Sequence, residues 1–360
     1  MARGLAAFAV LISHVRGLFF VPYHELSHHS IVISAFYAST SLGHQAVIVF
    51  FVLSGFFIAS ITIRSFDEGS WSWSVYLINR ILRLSLVLIP ALFLCLLLDR
   101  IGMTLSSTAA FYEHPVENLI SSSVATVETV RNFVGSFFYV QGILAQPFGS
   151  DSPLWSLSYE FWCYILFPIA ACALSRKLRP WLRAAYVAAA IFIVLFIGHN
   201  IALYFLIWLA GGAIALMLLR GKASLRTSWA STAAIVPLVC VLGVSIARPL
   251  DSAFLTDSVV ALAFAMWMYA ILEMPDRPVG DFYAKLARLL AGFSYTLYLT
   301  HFPFVFFIRA NVHHVWHPDL LHLLYAALIV VSAMLIAYGV AQVTEAKTSF
   351  FRNKVLGLLQ

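Results

Sequence analysis

The sequence predicts an all-α protein: a polytopic bundle of about ten transmembrane helices with both termini in the cytoplasm. Three observations predict it. Of 360 residues, 62% are hydrophobic and 11% charged, against roughly 45–50% and about 25% in soluble domains. The mean hydropathy is +0.90. Apolar runs long enough to cross a hydrocarbon core about 30 Å thick recur along the whole chain. So few charges cannot give such a chain a water-facing surface, and lipid must cover it.

In chain order the spans fall at 4–22, 44–63, 83–99, 154–174, 184–199, 201–219, 229–246, 255–273, 290–310 and 322–343. The first could be mistaken for a secretory signal, but no small-residue cleavage site follows it and further spans do. Only Asn200 separates the fifth from the sixth, which reads as a tight helical hairpin. The stretch 100–153 is amphipathic rather than polar, and Asn132–Ala145 is expected to lie in the interface or re-enter the bundle. A single membrane domain over 1–360 with no separate soluble domain is expected. Arg3 lies so near the first residue that a start later than the natural one is left open.

Charge placement gives an independent check. With the N-terminus inside, 17 of the 22 Lys and Arg residues fall in inside segments. Arg16, Arg100, Arg131, Arg248 and Arg309 remain on the other side. This is the cytoplasmic bias of membrane proteins, and the basic residues so placed do not suggest a nucleic-acid partner. The four cysteines, Cys95, Cys163, Cys172 and Cys240, sit inside apolar runs without the spacing of a metal site or a disulfide framework. The histidine pairs His28-His29 and His313-His314 lack the i, i+4 pattern of a helical zinc site, and no metal is expected.

Ionisable residues at membrane depth are costly, so each is a functional candidate. Arg3 and His14 are eleven residues apart, which brings both to one face of the first span, about 16 Å apart along the axis. Arg80 and Arg83 share a face where the third span begins. Their guanidinium forks suit phosphate, although topology anchors would read the same way. Glu160 lies in Leu154-Trp155-Ser156-Leu157-Ser158-Tyr159-Glu160 with no cation nearby in sequence, so it is either protonated or functional. Ser294, Tyr298 and His301 form a polar stripe at i, i+4 and i+7 that should face the interior. It reads equally as structural glue or as pocket lining. Ser54-Gly55 reads as a close helix approach, and His44 could line the outer mouth of the second span.

In this order the pieces resemble acyltransferase family 3, a family of integral membrane acyltransferases. The resemblance is carried by Arg3-Gly4-Leu5-Ala6-Ala7 with His14, Phe50-Phe51-Val52-Leu53-Ser54-Gly55-Phe56, Arg80-x-x-Arg83, Leu154 to Glu160, and Ser294-Tyr295-Thr296-Leu297-Tyr298-Leu299-x-His301. It implies a multi-pass inner (plasma) membrane enzyme that takes an acyl group, usually acetyl, from cytoplasmic acyl-CoA. The acceptor it implies is a hydroxyl of a cell-envelope or exported glycan, sometimes of a lipid or antibiotic. It links Arg3, His14, Arg80 and Arg83 to activity, with Ser158 and Glu160 less directly, and requires no permanently bound cofactor. On this reading Arg3, Arg80 and Arg83 hold the CoA phosphates, His14 is the general base and Glu160 orients it. Tyr298, His301 and His44 are further pocket candidates. An acyl-histidine intermediate and a homo-oligomer are left open.

The sequence departs from the family pattern at Ile48, at Phe161 where a second acidic residue is common, and at Thr344-Glu345-Ala346-Lys347-Thr348. The alternative is a secondary transporter or glycan-export protein without acyl-transfer chemistry. Against it, the two halves show no repeat and no matched pair of broken helices.

Overall fold

The computed structural model describes residues 1–114, 119, 122–221, 235, 239, 242–243, 252–273 and 280–357. Regular structure there is helical, apart from two isolated bridges. The helices are α1 (Ala2–Phe19), α2 (Ile31–Ser39), α3 (Gly43–Asp67), α4 (Trp73–Thr104), α5 (Ala109–Tyr112), α6 (Val124–Val127), α7 (Val130–Phe137), α8 (Trp155–Leu174), α9 (Pro180–Leu219), α10 (Ala253–Leu272), α11 (Asp281–Gly292), α12 (Ser294–Ala310), α13 (Leu320–Val343) and α14 (Thr348–Gly357).

Seven helices among the described residues are long and apolar enough to cross a membrane, or eight when α11 and α12, bent by 54°, count as one span. Ten were expected. The spans expected at 184–199 and 201–219 run together as the 40 residues of α9, two helices joined at a kink. Straight, it would be about 60 Å long, twice the hydrocarbon core. Gly198 interrupts it with φ 77° and ψ 174°, a backbone setting open to glycine alone at no steric cost. The span expected at 229–246 lies largely outside the described residues. So do Cys240, Lys222, Arg226, Arg248 and Arg277. Cys95, Cys163 and Cys172 are buried free thiols.

The chain forms two compact units. The first comprises Met1–Ala46, Trp73–Trp155 and Val279–Gln360. Its centre is α12, on which α1, α4 and α13 pack. Thirteen of the 17 residues of α12 are buried, the pattern of a helix surrounded on all sides. By contrast α13 buries Ile329, Ala333, Ala337 and Ala341, every fourth residue, and no others. At Gly4 a Cβ would collide with Leu290, so this glycine lets α1 and α11 cross closely.

The stretch after α4 re-enters the first unit. Three contacts descend α4 in step with the chain. Arg100 donates to Glu128 at 2.6 Å, Phe93 meets Phe133 at 5.7 Å between centroids, and Ser85 bonds the Tyr139 hydroxyl at 2.7 Å. From Arg100 to Ser85 is a rise of about 22 Å. Irregular backbone at such depth is tolerated only where protein surrounds it. Tyr139 is buried although its φ is 58°, and Gln141 Nε2 donates to the Leu154 carbonyl at 2.8 Å.

The second unit comprises Val47–Ser72 and Ser156–Pro278, with α9 packed on α10. A Cβ on Gly55 would collide with the Trp208 carbonyl, and one on Gly211 with the Val52 carbonyl. So α3 and α9 cross backbone to backbone, the packing that Ser54-Gly55 suggested.

Candidate functional site

His14 and His301, 287 residues apart, meet where α1 crosses α12. His14 Nδ1 is 2.8 Å from His301 Nε2. The rings lie 5.1 Å apart with planes only 9° from parallel, and the His14 ring also meets Phe302 edge-on at 4.8 Å. On its other side His301 Nδ1 is 2.8 Å from the Leu297 carbonyl. A carbonyl oxygen only accepts, so His301 Nδ1 carries the hydrogen. A neutral imidazole has one N–H, so His301 Nε2 must accept and His14 Nδ1 must donate. The lone pair of His14 is thereby fixed on Nε2. An outer partner selecting a histidine tautomer is a general device of histidine chemistry.

The α12 stripe faces inward as the i, i+4, i+7 spacing predicts. His301 is 1% exposed and Ser294 0%. Tyr298 donates to the Pro153 carbonyl at 3.2 Å, and Ser294 Oγ donates to the Ala291 carbonyl at 3.0 Å.

At the start of α12 lies a cavity of about 530 Å³ lined by Arg3, Arg83 and Arg288, together with Tyr338, Gln342 and Glu345. Glu345 Oε2 accepts from the Thr296 N–H at 3.1 Å and its hydroxyl at 3.0 Å. A carboxylate there satisfies the open donors and the positive end of a helix N-terminus, and the charges of Arg3 and Arg83 attract it. Three guanidinium groups against one carboxylate leave the cavity positive, the condition for holding a phosphorylated ligand. The close crossing at Gly4 is what brings Arg288 of α11 beside Arg3.

The remaining candidates lie elsewhere. Arg80 lies over the Tyr76 ring at 5.9 Å, one turn of α4 before Arg83, and does not line the cavity. His44 is exposed and stacks on Trp155 at 6.5 Å. In the second unit Glu160 Oε1 accepts from Ser54 Oγ at 3.1 Å and from the Tyr164 hydroxyl. Trp208 Nε1 donates in turn to Ser54 at 3.3 Å. Ser158 is buried. The structure thus brings Arg3 together with Arg83, and His14 together with His301. Glu160 is instead held by hydroxyls of its own unit.

Reading the sequence missed Arg288, Glu345 and Asp257. Arg288 registers there only as an inside positive charge, and Glu345 only as part of an atypical C-terminal run. Asp257, on an apolar helix, is 2% exposed and accepts from the Tyr204 hydroxyl at 2.5 Å. Its signal was available, a carboxylate within the apolar span 255–273, whose other acid, Glu273, is its last residue.

The model of a protein family described as an acyltransferase domain matches residues 1–342, running through both units. Comparison with curated proteins and with solved structures finds no match.

Proposed function

The chain belongs to acyltransferase family 3 and is an integral membrane acyltransferase; we propose that it moves an acetyl or similar acyl group from acyl-CoA to a hydroxyl of a cell-envelope or exported glycan. The observation that carries this reading is the pairing, along one helix, of an arginine-lined cavity with a histidine whose lone pair is fixed. Arg3, Arg83 and Arg288 hold the phosphates of the donor. The pantetheine arm then runs along α1. Arg3 and His14 are about 16 Å apart on that helix, a distance the extended arm can cover.

Beside His14 the chemistry is ester formation. A hydroxyl is a weak nucleophile until a base takes its proton. His14 Nε2 takes that proton as the oxygen attacks the thioester carbonyl carbon. The carbon–sulfur bond breaks, and the imidazolium returns the proton to the departing sulfur. Thioester and alcohol become ester and thiol with no net proton. His301 acts through His14: its Nε2 accepts the Nδ1–H in both charge states of His14 and keeps Nε2 toward the reaction. In this reading the orienting role belongs to His301, and Glu160 supports the second unit through Ser54 and Tyr164.

The test is acetyl-CoA hydrolysis by purified protein in detergent, wild type beside His14→Ala. Wild-type turnover reduced by at least about a hundredfold in the variant, the lower range for a general base, supports the reading. Undiminished turnover in the variant, or no CoA binding by folded wild type, overturns it.

A further inference from the structure

Helix α12 has no cap from the residue before it. Phe293 makes no side-chain capping bond and has no polar side-chain atom to offer. The capping work falls to Glu345, 49 residues beyond Thr296, whose Oε2 accepts from the Thr296 N–H at 3.1 Å and from its hydroxyl at 3.0 Å. Because α11 and α12 are bent by 54° where they meet, the first turn of α12 opens on the arginine-lined cavity. The wall of that cavity includes Gly292 and Phe293 at the bend.

Glu345 is thus an anion of the chain's own, seated where a helix N-terminus and guanidinium groups converge. The N–H groups and the dipole at such an end hold phosphate and carboxylate alike. The charges of Arg3 and Arg83 attract the carboxylate, and Arg288 lines the same cavity. A phosphate drawn in by these arginines meets the carboxylate at close range, and like charges there repel. Glu345 is able to give way. It is half-buried rather than sealed. It belongs to a three-residue turn, Glu345–Lys347, entered through Thr344 with φ −120° and ψ −88°. Its side chain can therefore turn aside without breaking a backbone bond of α13 or α14.

We propose that the Thr296 N–H and hydroxyl are a seat for a phosphate of the donor, and that the Glu345 carboxylate occupies this seat until the donor displaces it. Thr296 thereby joins the residues that hold the donor, and Glu345 is an internal competitor that sets how tightly the donor binds. The arginines attract phosphate by charge, and Thr296 adds two donors of fixed direction. While the cavity is empty, Glu345 keeps the open donor of the α12 terminus satisfied. A permanent cap would make the same contacts, but neutralising it would have the opposite effect on the donor. This inference rests on the acyl-transfer reading and deepens its donor site.

Binding of CoA, and of pantetheine as the probe without phosphate, to the full chain in phosphatidylcholine nanodiscs tests it. The proteins are wild type, Glu345→Gln, and Glu345→Gln combined with Thr296→Val. Glutamine keeps an oxygen acceptor for Thr296 and removes the charge that bars phosphate. CoA should bind Glu345→Gln at least about tenfold more tightly than wild type, the worth of one charge-assisted hydrogen bond no longer competed for. Pantetheine binding should not change. Adding Thr296→Val should take back about tenfold for CoA. In wild type, hydrogen exchange over residues 344–348 should quicken when CoA is added, because the turn loses its anchor. CoA binding Glu345→Gln no more tightly than wild type makes Glu345 a permanent cap and overturns the proposal. An equal gain for pantetheine, a gain untouched by Thr296→Val, or slower exchange over 344–348 with CoA overturns it as well. Acetyl-CoA hydrolysis by the same samples separates the two claims. His14-dependent turnover without the gain removes the seat alone, and no CoA binding by folded wild type removes the acyl-transfer reading beneath it.

Discussion

Helices α12 and α13 are packed neighbours, and they do opposite work. In α12 the polar side chains are inside and bonded: Thr296 to Glu345, Tyr298 to Pro153, and His301 to both Leu297 and His14. In α13 the inside face is Ile329 and three alanines, while Leu328, Val331 and Leu335 face outward. Hydropathy ranks α13 as the more apolar of the two, and so does not reveal that α12 is the central one. What distinguishes the central helix is a polar stripe at helical spacing. What marks the covering helix is a stripe of small residues that allows close approach.

Several substitutions break or sharpen this comparison. The largest stability effect is expected on the alanine stripe. Ala337→Leu, at a position with no exposed surface, forces extra volume into a packed contact and should cost about 2 kcal/mol. Leu335→Ala, 66% exposed on the same helix, should change stability by less than about 0.5 kcal/mol. Thermal unfolding in detergent reads both, and an equal loss in the two would erase the distinction between the faces.

The arginine-lined cavity touches both helices, through Phe293 at the start of α12 and through Tyr338 and Gln342 of α13. Arg288→Ala should raise the KM for acetyl-CoA about tenfold, the worth of one charge-assisted hydrogen bond, and leave kcat near wild type. An unchanged KM would make Arg288 a topology charge only. A smaller effect is expected from Tyr298→Phe, which deletes the bond to the Pro153 carbonyl and should cost about 1 kcal/mol. No change in unfolding temperature would remove that bond from the account.

The smallest effect belongs to the first turn of α13, where Asp319 caps the helix and accepts from the His322 N–H at 3.0 Å. That bond, and the His322 ring, hold the Asp319 carboxyl below its ordinary range. A lowered value means stability that is present above about pH 4, the unfolded carboxyl value, and lost as the pH falls through the folded one. Asp319→Ala should therefore lower the unfolding temperature slightly at neutral pH and not at all in strong acid. The same small deficit at both pH values would contradict the cap.

Much of this was legible in the chain. The span pattern and the charge bias gave a helical membrane protein, and Ser294, Tyr298 and His301 were legible as inward-facing residues, though burial in α12 extends all round the helix. The common face of Arg3 and His14 needed only helical geometry. The rest depends on folding over long separations. No local pattern shows that His14 meets a ring 287 residues away, or that α11 crosses α1 at Gly4 and turns Arg288 from a topology charge into cavity lining. The break of α9 at Gly198 was read as a boundary at Asn200, two residues off, because a loop of one or two residues leaves almost no polar signal. The descent from Glu128 to Tyr139 was half legible, as an amphipathic stretch too apolar for an ordinary loop.

The central claim is that His301 fixes the His14 lone pair on Nε2, and turnover of acetyl-CoA by His301→Ala beside His301→Gln tests it most directly. The glutamine side chain presents an oxygen acceptor where Nε2 stood, whereas alanine presents none. The account predicts that His301→Ala loses at least about tenfold in kcat, within the range for a misdirected general base, with the KM for acetyl-CoA unchanged, and that His301→Gln recovers most of the loss. His301→Ala turning over at the wild-type rate, or His301→Gln failing as completely as alanine in a folded protein, would contradict it.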